Sequence, residues 1–314
     1  MKKIITSFVV LLLIIFTCDR VIGYVISEVI LPKTISGESI GAVNYLLKKK
    51  KNIDFLVMGS SRARYQVNPA LMKDIYNANG YNAGNSGVGG TIYNNLLLHL
   101  LIDKGIVPKL LIFQADPYPY FTTNDENINP EISSMYPFMT ESERLKKLIE
   151  SRISYSEKAK LQLHIYRYNG KVLRIINHYL QCNNVKDNYG FEGSVGKIDT
   201  TVFAAKTNVN DEHHFSKIKM QAMKDIIQTC KENNIRLVVL FPPTFRNTWF
   251  SKACNDSIVH FLNNENIHDI YDFSDIRKIP SLQSNVFWKN ATHLNNEGAA
   301  IFSLLLNDSL KHIH

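Results

Sequence analysis

The chain has four cysteines, Cys18, Cys182, Cys230 and Cys254, and no CxxC pair among them. Such spacing argues against a zinc ribbon or finger, and no histidine or carboxylate cluster offers metal-ligand spacing. No metal and no cofactor is therefore expected. The phosphate-cradling pattern G-x-x-x-x-G-K-[ST] is absent, and so is a well-formed G-x-G-x-x-G. Basic residues interleaved with aromatics, the mark of a nucleic-acid face, are missing too, so no nucleic-acid partner is expected. The formal charge of +8 is scattered apart from the run Lys48 to Lys51. It reads as a solvated surface with some affinity for acidic polymers or headgroups. Cys230 falls on an apolar helix face and is expected in the core. Cys182 and Cys254 are available to pair outside the cell, a point the sequence leaves open.

What is present is a chain of 314 residues, 45% hydrophobic and 20% charged, enough for a sizeable core without staples. Lys2 and Lys3 precede an apolar run from Ile4 to Cys18, then Asp19-Arg20, then a second apolar stretch from Val21 to Leu31. The run is short for a full span unless Arg20 snorkels and the helix continues. A cleaved signal peptide is the alternative, although no A-x-A site follows the apolar core. The preferred reading is a single-pass membrane anchor over 1–31 with the remainder extracytoplasmic, since the leading lysines stay inside. A secreted or periplasmic product is the competing location. Residues 32–52 read as a linker with one short helix, and 53–314 as one domain.

Within that domain, apolar strands alternate with helical patterns. Strands are expected at Phe55–Met58, Gly80–Ala83, Leu110–Ala115, Arg236–Phe241 and Ile267–Tyr271. Helices are expected at Pro69–Asn79, from Thr91 as cap, at Ile218–Cys230, at Trp249–Leu262, and after Asn295 as cap. The alternation defines an α/β fold: a doubly wound, flavodoxin-like parallel sheet of about five strands with helices on both faces. It lapses over 118–214, a mostly helical insertion. There Thr140 and Glu143 form a capping box, and a second apolar pattern runs through Leu161, Ile165, Leu173 and Ile176. His213-His214 reads as surface.

In a doubly wound sheet, ligands bind outside the carboxyl ends of the strands. Four loops share that rim and carry Ser61, Gly87, Asp116 and His293 there. A serine needs an adjacent base to be nucleophilic, and histidine supplies one near neutral pH. Backbone N–H groups of the loop Gly84–Gly90 suit an oxyanion. The plainer alternatives are a capped β-α turn at Ser60-Ser61 and a structural histidine at 293.

Four blocks at this rim resemble those of the SGNH, or GDSL-type, hydrolases. Gly59-Ser60-Ser61 resembles block one, with Ser60 for the usual Asp and Ser61 at the nucleophile position. Asn82-Ala83-Gly84-Asn85-Ser86-Gly87 is similar to block two, whose oxyanion donor would be Gly87. Gln114-Ala115-Asp116 falls where G-x-N-D would, and Asn290-Ala291-Thr292-His293 resembles D-x-x-H. The match runs from about Asp54 to Ser309, outside the insertion. The resemblance implies Ser61, His293 and Asn290 as catalytic residues, with Gly87, Asp116, Ser60 and Arg62 as oxyanion or substrate-binding residues. The G-S-S variant on an anchored chain is closer to the extracytoplasmic branch, which includes proteins acting in the acylation of cell-surface polymers. That implies an esterase or O-acyltransferase on a cell-envelope glycan, or a non-catalytic relative that binds a glycan or a membrane-bound acyltransferase. Two departures stand out: Asp116 carries no N–H donor when ionised, and Asn290 replaces the triad acid. Asp116 or Asp272 is a possible substitute carboxylate.

Overall fold

A computed structural model describes residues 1–34, 40–48, 52–75, 79–116, 128–181, 188–199, 215–245 and 252–312. Lys49 to Lys51, Cys182, His213-His214 and Trp249 lie outside the described residues.

Five strands form one parallel sheet: β1 (Phe55–Met58), β2 (Gly80–Asn82), β3 (Leu110–Gln114), β4 (Arg236–Phe241) and β5 (Ile270–Asp272). Their order is β2-β1-β3-β4-β5, the flavodoxin-like order, with its switch point between β1 and β3. The fold is the doubly wound α/β architecture expected from the alternation. Because side chains alternate along a strand, each strand feeds two cores. Leu56, Met58, Leu111, Phe113, Val239 and Phe241 belong to one. Phe55, Val57, Leu110, Ile112, Val238 and Leu240 belong to the other. Both faces are dry, which is why the strands read as unbroken apolar runs.

The helices, in chain order, are α1 (Lys2–Tyr24), α2 (Ile40–Lys48), α3 (Ser61–Gln66), α4 (Thr91–Asp103), α5 (Asn129–Ser133), α6 (Glu143–Glu150), α7 (Tyr155–Lys160), α8 (Val172–Gln181), α9 (Lys217–Glu232), α10 (Lys252–Asn264) and α11 (Asn296–Leu310). Helical winding continues from α1 through Lys33, giving a helix long and apolar enough to cross a membrane. Such a helix is either an anchor or a signal sequence. The stretch after it is packed: Val43 and Leu46 of α2 are buried, and Asn44 Nδ2 donates to Leu31 O at 2.7 Å.

Several expected boundaries move, each for a visible reason. The first helix opens at Ser61, and only a single 3₁₀ turn, Pro69–Leu71, forms where a longer helix was expected. Side chains of α11 take the backbone donors: Ser303 Oγ accepts Asn68 N–H at 2.8 Å and Asn307 Oδ1 accepts Asp74 N–H at 3.0 Å. Such bonds compete with helix formation. Thr91 does not cap α4. Glu131, from the insertion, does so by accepting Ile92 N–H at 2.9 Å and Tyr93 N–H at 3.1 Å. Ser142 rather than Thr140 caps α6, accepting Leu145 N–H at 3.1 Å. Strand β5 starts at Ile270 because Ile267 N–H still bonds Leu262 O, closing α10. Asn295 caps α11 as expected, accepting Gly298 N–H at 3.1 Å, and Cys230 is buried in α9.

Candidate functional site

Strand β1 ends at Gly59, whose φ of +153° lies outside the usual range of other residues. A Cβ there would press on the Gln114 side chain and on Ala63, so only glycine lets the chain turn at once into α3. Ser60 becomes the helix cap, its Oγ accepting Arg62 N–H at 3.2 Å. Ser61 is then the first helical residue, half-buried at the rim.

The histidine arrives from the other end of the chain on a narrow loop. Trp288 and Leu294 form an antiparallel bridge, and Lys289 N–H donates to His293 O at 2.9 Å. Trp288, fully buried, anchors the loop through Nε1 to Leu282 O at 2.8 Å. Gln66 Nε2, one turn beyond the serine, holds Thr292 O at 2.6 Å. Tyr65 sets its ring edge-on to the imidazole, 5.7 Å between centroids.

These supports bring Ser61, His293 and Asn290 into one chain of hydrogen bonds. Ser61 Oγ lies 2.8 Å from His293 Nε2, and His293 Nδ1 lies 3.0 Å from Asn290 Oδ1. The consistent protonation has Nδ1–H donating to Asn290, leaving Nε2 to accept from the serine hydroxyl. Asn290 Oδ1 is heavily used, since it also accepts Thr292 N–H at 3.0 Å and His293 N–H at 2.9 Å. Burial pushes the His293 pKa down to about 4, and the Arg62 and Lys289 cations push the same way. With no carboxylate on Nδ1, nothing opposes them, so the imidazole is neutral at neutral pH.

The other expected site residues gather into a separate network. Gln114 Oε1 accepts Ser60 N–H at 2.9 Å and the Ser60 hydroxyl at 3.0 Å. Its Nε2 donates to Asp116 Oδ2 at 2.7 Å. The other Asp116 oxygen is bound by Arg62, whose guanidinium also reaches Pro242 O at 2.6 Å and Pro243 O at 3.0 Å beyond β4. Arg62 and Asp116 are about 95% buried. Burial pushes the Asp116 pKa up to about 6, against the pull of Arg62 and Gln114. The carboxylate is thus ionised at neutral pH and already bound, and neither it nor Asp272 touches His293. Asp272 is exposed and accepts Ser274 N–H at 2.9 Å. The idea of a substitute carboxylate therefore fails among the described residues. Gly87 sits exposed in the loop before α4 with φ +80°, and no hydrogen bond joins it to Ser61 or His293 among the described residues.

The sequence assigns no role to Glu192 or to the loop around it, and it names Gln114 within the third block without a role of its own. Glu192 pairs with Arg64 at 2.6 Å. The loop around it, which offered no chemistry in sequence, laces the site together: Glu192 N–H donates to Arg64 O at 3.2 Å and Ile198 N–H to Trp288 O at 2.7 Å. Their only signal is spatial. No group of three or more His, Cys, Asp or Glu side chains among the described residues is arranged to hold a metal ion.

Fold and site together define a flavodoxin-like α/β domain carrying a serine–histidine–asparagine chain at the carboxyl edge of its sheet. No protein-family model matches the sequence, and no curated protein matches it significantly.

Proposed function

We propose that the chain is an SGNH-type serine esterase or O-acyltransferase, membrane-anchored and extracytoplasmic, that acts on an acylated cell-envelope glycan. The observation that carries this reading is the unbroken path Ser61 Oγ, His293 Nε2, His293 Nδ1, Asn290 Oδ1, with distances of 2.8 and 3.0 Å at its two hydrogen bonds. A neutral imidazole aimed at a serine hydroxyl on a strand-helix turn is the arrangement acyl transfer needs. Ser61 Oγ would attack an ester carbonyl while its proton passes to Nε2. The tetrahedral oxyanion would rest against the Ser61 N–H, with the Gly87 loop as second donor. Collapse would expel the glycan hydroxyl, reprotonated by His293, leaving a seryl ester for water or an acceptor hydroxyl.

A test is to incubate the full chain in detergent micelles with an O-acetylated polysaccharide and follow loss or transfer of ester groups. Turnover that disappears in Ser61→Ala supports the reading; equal turnover in both refutes it. One observation favours a second reading, a binding module for a glycan or a membrane-bound acyltransferase. His293 has no carboxylate partner, and its pKa near 4 disfavours the imidazolium that acyl transfer must form. Polysaccharide retention unaffected by Ser61→Ala, without ester loss, is the result expected for such a module.

A further inference from the structure

The insertion leaves an apolar stripe open. Leu173 is 79% exposed and Leu180 is 72% exposed, with Ile176 between them on the same side of α8, while Ile175 alone is fully buried. Leu163 and Tyr155 are also exposed nearby in sequence. The apolar pattern through Leu173 and Ile176 thus faces outward. A groove of about 760 Å³ runs between this region and the N-terminal helix, lined by Ile14, Ile15, Leu163, Ile165, Val172 and Leu173.

The N-terminal helix meets the insertion at several places among the described residues, Lys33 over the Tyr179 ring among them, and one of them is built on a buried charge. Asp19, 95% buried, accepts the backbone N–H groups of His164 at 2.9 Å and Ile165 at 3.0 Å. Arg20 binds the His164 ring and donates to Gln162 O at 3.2 Å. Gly23 lets the two approach, because a Cβ there would collide with His164. Depth follows from helix geometry. With Lys3 at one interface, Asp19 lies about 24 Å further along at 1.5 Å per residue, short of the roughly 30 Å of a hydrocarbon core. A carboxylate at that depth needs donors, and the insertion brings them. Residues 162–165 therefore share the depth of Asp19, and α8 runs outward from Leu173, beside Ile14 and Ile15, to Tyr179, whose ring lies under Lys33, about 45 Å from Lys3 along the helix.

Charge completes the pattern. Between Tyr155 and Gln181 the sequence holds Lys158, Lys160, Arg167, Lys171 and Arg174 against one acid, Glu157. Lys160 binds Glu157 at 3.4 Å, Lys171 Nζ donates to Ser133 O at 2.9 Å and Arg167 Nε to Leu161 O at 3.1 Å, and the net positive charge of the segment suits an anionic headgroup layer.

We infer that the insertion is seated in the outer leaflet of the bilayer, with Leu163 and Leu173 against acyl chains and Leu180 at the headgroup layer. The inference rests on the anchor reading of the N-terminal helix, and it fixes the insertion to the membrane surface at a second site.

Tryptophan placed singly at Ile14, Leu173, Leu180 and Leu304 of the full chain tests this in liposomes of phosphatidylglycerol and dibrominated phosphatidylcholine. Leu304 is an exposed control on α11. Quenching by the bromines and a blue shift are expected for Ile14→Trp and Leu173→Trp, weaker quenching for Leu180→Trp, and neither for Leu304→Trp. Quenching at Ile14 alone would overturn the inference while leaving the anchor intact. No quenching at Ile14 would remove both. A blue shift at 173 and 180 without quenching would place a protein, a second copy or a partner, on the stripe and overturn the lipid occupant. Leu163→Trp and Ile176→Trp read the same face if either first variant misfolds.

Discussion

Two polar networks share the rim of the sheet, and they differ in charge and in how fully they are used. The Ser60–Gln114–Asp116–Arg62 network is charged, deeply buried, and tied to backbone carbonyls on either side. It joins the ends of β1, β3 and β4. The Ser61–His293–Asn290 chain carries no formal charge at neutral pH and reaches the surface, ending in a serine hydroxyl at the crest of a turn. A charge held in a buried network is a strut, since Arg62 and Asp116 are bound by protein groups. A neutral relay ending in a hydroxyl has something left to give. Residues that the family resemblance singles out divide along this line: Ser60, Arg62 and Asp116 are spent on architecture, while Ser61 and His293 are not.

The contrast breaks first at Arg62. Arg62→Ala strands a buried carboxylate, and removing one partner of such a pair costs roughly 3–5 kcal/mol. Thermal unfolding should show this as the largest loss of any single change at the rim. Gln114→Leu keeps the volume but strips Ser60 and Asp116 of partners, for a loss of about 1–3 kcal/mol. Denaturant unfolding is the measurement, and loss well below that range would mean that Gln114 does not brace the strut. On the reactive side, Asn290→Asp should raise turnover of an aryl ester at least about tenfold, equivalent to roughly 1.4 kcal/mol of barrier. The added charge favours the imidazolium, and one carboxylate oxygen can serve Nδ1 while the other holds the turn. Unchanged or lower turnover in Asn290→Asp would remove the missing charge as the limiting feature.

The two networks should also respond oppositely to pH. His293 has a folded pKa near 4, below its ordinary 6.5. The unfolded chain binds the proton first, so this group's effect on stability is nil above 6.5 and unfavourable as pH falls toward 4. Asp116 runs the other way, its folded pKa near 6 lying above the ordinary 3.8. Its contribution is favourable at low pH and is lost as pH rises through 6. Unfolding followed from pH 7 to pH 4 in His293→Gln should lack the acid-side loss that the histidine imposes. In Asp116→Asn the acid-side gain should vanish.

Much of this was legible in the sequence where local pattern and tertiary environment agree. The apolar runs gave five strands because both faces of the sheet are dry. Asn295 announced its cap by standing three residues before Gly298. Ser61 and His293 could be paired from topology, since the carboxyl ends of parallel strands share one edge. What was not legible depended on partners distant in sequence. Nothing near Pro69 shows that Ser303 and Asn307 will claim the donors of a helix there. Nothing near Thr91 shows that Glu131 will cap α4. Asp116 looked like a spare carboxylate because only the fold reveals the Arg62 beside it. Leu173 and Ile176 had the periodicity of a core, and periodicity does not say which solvent a face meets.

The account turns on whether Ser61 is a nucleophile activated by His293. An active-site-directed fluorophosphonate, followed by intact-mass analysis of the purified full chain, tests this directly. A single adduct on Ser61 is expected, absent in Ser61→Ala and strongly slowed in His293→Gln. Ser61→Ala should meanwhile change stability by no more than about 0.5 kcal/mol. A folded wild-type chain that takes no label, or takes it equally well without Ser61, would contradict the account.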